Sequence, residues 1–159
     1  MRRQEDYLAG AAAGVVAGLV AVFLMEKAQE RLRPLAPPRL TGGRLSTGQA
    51  AETVSAAMSD RPTPPPVSSD AGRLVHYATG AALGLVYGVL AERFKAVTSG
   101  FGLSFGTGMA MGIDETLLPA LGLAPPVEKA TPGQHLYSLA SHLVFGASLE
   151  GARRLLRGG

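Results

Sequence analysis

Apolar stretches recur four times along the chain, separated by short charged or polar segments, and within each stretch small residues return at helical rather than strand spacing. The first runs from Tyr7 to Met25 and carries Gly10, Gly14 and Gly18 at steps of four. The second, from about Leu74 to Ala91, belongs to a row His76, Gly80, Gly84, Gly88 and Glu92, polar at one end, smooth in the middle and acidic at the other. The third, Val97 to Leu118, contains Gly102, Gly106, Gly108 and Gly112 and ends on Asp114 and Glu115. The fourth is weaker, from about Gln134 to Gly151, with His142, Gly146 and Glu150 in one row. Residues four apart share a helix face, and in lipid such small-residue rows let helices approach backbone to backbone. About 20 apolar residues cross a bilayer core. The pattern therefore predicts an all-α chain, an integral membrane four-helix bundle forming one domain over 1–159. Its expected spans are about 7–25, 74–91, 97–118 and 134–151.

The one long polar segment, 27–72, is bounded by Pro34, Pro37 and Pro38 on one side and by Pro62 and Pro64 to Pro66 on the other. Proline restricts these flanks to extended or turn backbone. Between them a helix over about 47–59 is expected. Ser46 and Gln49 have capping-box spacing, and Ala50, Ala51, Val54, Ala57 and Met58 share a small apolar face. That face suits packing over the mouth of the membrane domain better than recruiting a partner helix. A charged start followed by an apolar run is also the pattern of a secretory signal. The glycine row and the three comparable runs that follow favour a first membrane span instead. A faint internal repeat joins the halves: Leu35–Pro38 and Leu123–Pro126 both read LAPP, and the same offset aligns Gly14 with Gly102, Gly18 with Gly106 and Glu26 with Asp114. Two duplicated hairpins would be parallel copies about an axis along the membrane normal.

Composition strengthens the membrane reading. Hydrophobic residues make up 47% of the chain, charged ones 17%, and there are 21 glycines. In water each glycine inside a helix costs about 1 kcal/mol relative to alanine, so such rows need a packing reason. With no cysteine, disulfides, thiolate zinc sites, iron–sulfur clusters and cysteine nucleophiles are all excluded. The net charge of +3 does not point to nucleic acid, because the basic residues flank apolar runs and form no stripe interleaved with stacking aromatics. They read as topology signals. Arg2, Arg3, Arg93, Lys95, Arg153, Arg154 and Arg157 lie in short segments beside the spans, whereas Lys27, Arg31, Arg33, Arg39, Arg44, Arg61, Arg73 and Lys129 are mostly spread through the long loop. The positive-inside rule then places both termini in the cytoplasm. Tyr7, Tyr77 and Tyr137 near span ends suit an aromatic belt.

That topology gathers the chemistry-bearing residues at one face. Glu26 ends the first span, His76 opens the second, Asp114 and Glu115 end the third and His135 opens the fourth. His142 lies about 10 Å deeper at ~1.5 Å rise per residue, on nearly the same helix face as His135. Glu26, His76, Asp114, Glu115 and His142 are the candidate polar cluster, opening to the periplasm and able to bind a cation or change protonation. The competing reading is that they cap helix ends and anchor in headgroups. No cofactor is expected. Haem held by His76 and His142 is the lesser reading, because the two imidazoles sit at different depths. Gly100, Gly102, Gly106 and Gly108 superficially resemble a phosphate loop but lack the preceding strand and the following lysine. Ser104, Ser138 and Ser141 have no nucleophile context. The chain is not expected to be an enzyme.

Several ordered motifs carry a family likeness: PPR at Pro37–Arg39, His76, YGVLAE at Tyr87–Glu92, LGLAPP at Leu121–Pro126, SHLVFG at Ser141–Gly146, and Glu150 ahead of RRLLR. In these the chain resembles the YagU-like family of small bacterial inner-membrane proteins. The resemblance implies an inner-membrane location and an association with acid resistance, without an established reaction or catalytic set. The function expected is a non-enzymatic inner-membrane protein supporting acid resistance or envelope homeostasis through the histidine–carboxylate cluster. The alternatives are an accessory structural subunit of a larger membrane complex and a small transporter or channel component. The expected partners are the lipid bilayer and either such a complex or further copies of the chain.

Overall fold

The computed structural model describes residues 2–32, 65–121, 128 and 130–158. Among the described residues every regular element is helical. Helix α1, Arg2–Leu32, carries the first glycine row and runs on past Met25 through Glu26, its last turns held in part by the exposed Lys27–Glu30 ion pair. Helix α2, Pro65–Ala91, begins on prolines, which a first helical turn accepts because its N–H groups have no partner within the helix. The expected loop helix over about 47–59 and both LAPP motifs lie outside the described residues.

The third segment differs from expectation at its start. Residues 92–102 form turns rather than the beginning of a helix at Val97. Gly100, Phe101 and Gly102 have φ of 59°, 57° and 80°, a left-handed run that glycine adopts freely and that reverses the chain. Helix α3, Leu103–Met109, starts only after Gly102, then widens into a π-helical segment, Ala110–Leu117, and closes in a short turn, Leu118–Ala120. Thr116 Oγ1 donates to the Met111 carbonyl five residues back, a spacing that matches the wider winding. Helix α4, Pro132–Arg157, has a complete capping box between Thr131 and Gln134 and ends on Gly158 at φ 81°.

Glycine rows set how these helices meet. A Cβ added to Gly14 would overlap the Gly84 carbonyl, one on Gly18 the Gly80 carbonyl, and one on Gly88 the Gly10 carbonyl. Helices α1 and α2 are thus in backbone contact along three antiparallel steps. Helices α3 and α4 repeat the device: a Cβ on Gly102 would overlap the Gly146 carbonyl, and one on Gly106 the His142 carbonyl. The registers correspond, Gly14–Gly84 and Gly18–Gly80 in one hairpin answering Gly102–Gly146 and Gly106–His142 in the other. Gly108 and Gly112, expected in the same packing, face open space with nothing within 4 Å of an added Cβ. The reason is angular: at 100° per residue they point some 200–240° away from Gly106, which faces α4.

Helix α1 packs along both α2 and α4, and α3 meets α2 at the edge-on ring pair Tyr87–Phe105, 4.8 Å between centroids. The core so enclosed is small: Ala17, Ala21, Val22, Met25, Tyr87, Phe145 and Leu149. Large apolar side chains face outward instead, with Val16, Leu19, Val20, Phe23 and Leu24 of α1 and Leu85 and Val86 of α2 all exposed. Asp6–Leu32 and Gly72–Ala91 are long and apolar enough to cross a membrane.

Candidate functional site

Antiparallel packing brings the C-terminal ends of α1 and of the π segment to the same end of the molecule as the N-terminal ends of α2 and α4. The histidines gather there. His76 Nδ1 lies 3.4 Å from Glu26 Oε1, and the Tyr77 hydroxyl donates to Glu26 Oε2 at 3.1 Å, so consecutive residues of α2 hold one carboxylate of α1. On the other hairpin His142 Nδ1 lies 3.6 Å from Asp114 Oδ2, which also accepts from the Ser138 hydroxyl. His142 Nδ1 sits 3.0 Å from the Ser138 carbonyl. A carbonyl can only accept, so this nitrogen carries the proton and the other is left to act as acceptor in the neutral ring. His135 Nδ1 contacts Glu115 Oε1 at 2.7 Å.

The first two pairs lie at the same end of the molecule, one in each hairpin. Of the residues singled out from the sequence, Glu26 pairs with His76 and Asp114 with His142, while Glu115 turns to His135. The π winding brings this about in part: Asp114 and Glu115 are adjacent, yet both contact α4. All six charged or imidazole side chains of the three pairs are partly buried, with exposures from 13% to 35%. Among the described residues no three histidine, aspartate or glutamate side chains converge closely enough to hold a metal ion, so the cation reading gains no ligand set.

The opposite end holds a second polar cluster that was not anticipated as a site. Glu150 is fully buried. Its carboxylate accepts from the Tyr87 hydroxyl at 2.8 Å, from Arg153 Nε and Nη2 at 2.7 and 3.1 Å, and from Arg154 Nε at 2.7 Å. Four donors surround one buried carboxylate, which is what keeps an ion out of water affordable. The hydrogen-bonded carboxylate in turn holds the Arg153 guanidinium above the ordinary arginine value. Glu92 accepts from Arg157 Nε at 3.1 Å and faces Arg153 at 4.0 Å, tying α2 to α4, and Arg157 reaches Asp6 of α1 at 3.9 Å. The signal was present in the sequence: Glu92 and Glu150 each end a four-residue row, and arginines follow Glu150 at three and four residues, the helical ion-pair spacing.

A family model described as a protein of unknown function, DUF1440, matches residues 47–151. The chain belongs to this family. No curated protein and no solved structure matches it. Within this DUF1440 protein the matched region spans all of α2, α3 and the π segment and most of α4, and so contains His76, Tyr87, Glu92, Asp114, Glu115, His142 and Glu150. Glu26 and the arginine partners Arg153, Arg154 and Arg157 fall outside it. Both polar clusters thus draw partners from inside and outside the DUF1440 segment.

Proposed function

We propose that this chain is a non-enzymatic, multi-pass protein of the bacterial inner membrane, a bundle of four helices with both termini in the cytoplasm, which supports survival in acid through its histidine end. The observation that carries the reading is the set of three histidine–carboxylate pairs at one end of the helices, His76–Glu26, His142–Asp114 and His135–Glu115. Imidazole changes charge between about pH 5 and 8, and each ring here has a carboxylate to answer that change. The groups facing the site come from every element around it: Glu26 of α1, Arg73, His76 and Tyr77 of α2, Asp114 and Glu115 of the π segment, and His135 and His142 of α4. The YagU-like resemblance, with its acid-resistance association, points the same way.

The test is survival of an acid challenge by cells lacking the chromosomal copy and complemented with wild type or with His76→Gln/His142→Gln at matched abundance. The reading predicts that wild type restores survival and the double variant does not. Equal protection by both would remove the histidine end from the mechanism.

A second reading, an accessory subunit docked on a larger membrane complex, is favoured by one observation. Gly108 and Gly112 present a smooth face to open space, beside the exposed Met111. Intact-complex mass spectrometry of protein extracted from its native membrane in mild detergent distinguishes the readings. A second membrane chain in fixed stoichiometry would favour the subunit.

A further inference from the structure

At the arginine end the carboxylates are all engaged, yet cations remain. Glu150 is taken by Arg153 and Arg154, Glu92 by Arg153 and Arg157, and Asp6 by Arg157. Among the described residues no carboxylate pairs with Arg93 or Lys95, both exposed on the turn between α2 and α3. Counting the described side chains at this end, five bases (Arg93, Lys95, Arg153, Arg154, Arg157) face three acids (Asp6, Glu92, Glu150).

Two of the cations lie on aromatic rings that are themselves exposed. The Arg93 guanidinium sits 5.5 Å from the Phe94 ring centroid and the Arg154 guanidinium 4.9 Å from that of Phe101, with the two rings 50% and 47% exposed. Phe101 holds a left-handed φ of 57°, which a side chain rarely adopts, and in that conformation its ring rests against Gly151 and under Arg154. An apolar ring with a guanidinium on its face, repeated twice on one rim, fits the boundary of a bilayer. The ring enters the acyl region while the guanidinium stays at phosphate level, where its planar fork binds phosphate oxygens.

We propose that the turn Arg93–Gly102 and the last turns of α4 form a binding surface for the phosphate headgroups of anionic phospholipids, with Arg93, Lys95 and Arg154 as the contacts. The proposal rests on the transmembrane reading, which puts this rim at the cytoplasmic leaflet, the one whose negative surface potential attracts basic segments. Buried Glu150 fixes Arg153 and orients Arg154 through its Nε, leaving the outer face of the Arg154 guanidinium to the lipid.

The test uses the full chain in nanodiscs of phosphatidylcholine with about 30 mol% phosphatidylglycerol, enough to give the bilayer a negative surface, released into the gas phase for native mass spectrometry. Wild type is compared with Arg93→Gln/Lys95→Gln, which removes no ion pair, and with Arg154→Lys, which keeps the charge but not the fork. Resistance to alkaline carbonate in vesicles of the same lipids is measured alongside. The proposal predicts that phosphatidylglycerol is retained on wild type at least tenfold over phosphatidylcholine. That preference falls to near unity in the double variant and partly in Arg154→Lys, with carbonate resistance unchanged throughout. Equal retention by wild type and double variant, with carbonate resistance intact, overturns the lipid site and leaves the transmembrane reading standing. Displacement of the lipid by millimolar inorganic phosphate overturns the assignment to a lipid headgroup. Carbonate release of wild type from the vesicles overturns the transmembrane reading and this surface with it.

Discussion

At the scale of single residues the heaviest electrostatic constraint is Glu150. A fully buried carboxylate with donors from Tyr87, Arg153 and Arg154 is stable only as a set, because removing one member strands a charge away from water. Glu150→Gln should lower stability in detergent by about 3–5 kcal/mol, the usual cost of breaking a buried pair. Tyr87→Phe, which removes one hydroxyl donor to a charged acceptor, should cost about 2 kcal/mol. Thermal or denaturant unfolding of the two variants checks both numbers, and similar losses would mean the arginines contribute little. The histidine end was legible in the sequence because topology alone put Glu26, His76 and Asp114 at one end, and helical rise put His142 one step further in. Which carboxylate served which histidine was not legible. Asp114 and Glu115 are neighbours, and within the wider π winding one meets His142 and the other His135.

At the scale of elements the glycines divide into two kinds that look alike in the sequence. Gly14 abuts the Gly84 carbonyl, so Gly14→Ala must push α1 and α2 apart, at a cost of about 1–3 kcal/mol for overpacking. Gly108 meets nothing, so Gly108→Ala should leave the protein unchanged or stabilise it by up to about 1 kcal/mol through helix propensity. Opposite signs in the same unfolding assay are the expected result; a loss at Gly108 comparable with that at Gly14 would show that an additional surface packs there. Four-residue spacing predicts a face, and it says nothing about which neighbour the face meets. That is why Gly10, Gly14, Gly18, Gly80, Gly84, Gly88, Gly102, Gly106 and Gly146 line contacts while Gly108 and Gly112 do not. The late start of α3 had a visible cause in Gly100 and Gly102, but the left-handed Phe101 between them did not. Its conformation is set by tertiary contact with Gly151 and Arg154 rather than by local preference.

At the scale of the whole molecule the two hairpins explain the separation of chemistry. Each hairpin zips through glycine in its middle and sends its carboxylates and arginines to the ends. Imidazole–carboxylate pairs collect at one end and guanidinium–carboxylate pairs at the other. An apolar middle with polar rims, and large side chains turned outward from a small core, is the arrangement a bilayer stabilises. The most direct test of that claim exploits the absence of native cysteine. Glu30→Cys and Glu128→Cys mark the histidine end, Lys95→Cys and Gly158→Cys the arginine end, and each single variant is exposed to a membrane-impermeant maleimide before and after permeabilisation of spheroplasts. The account predicts that the first pair is labelled at once and the second only after permeabilisation. Equal labelling of all four positions under both conditions would contradict it.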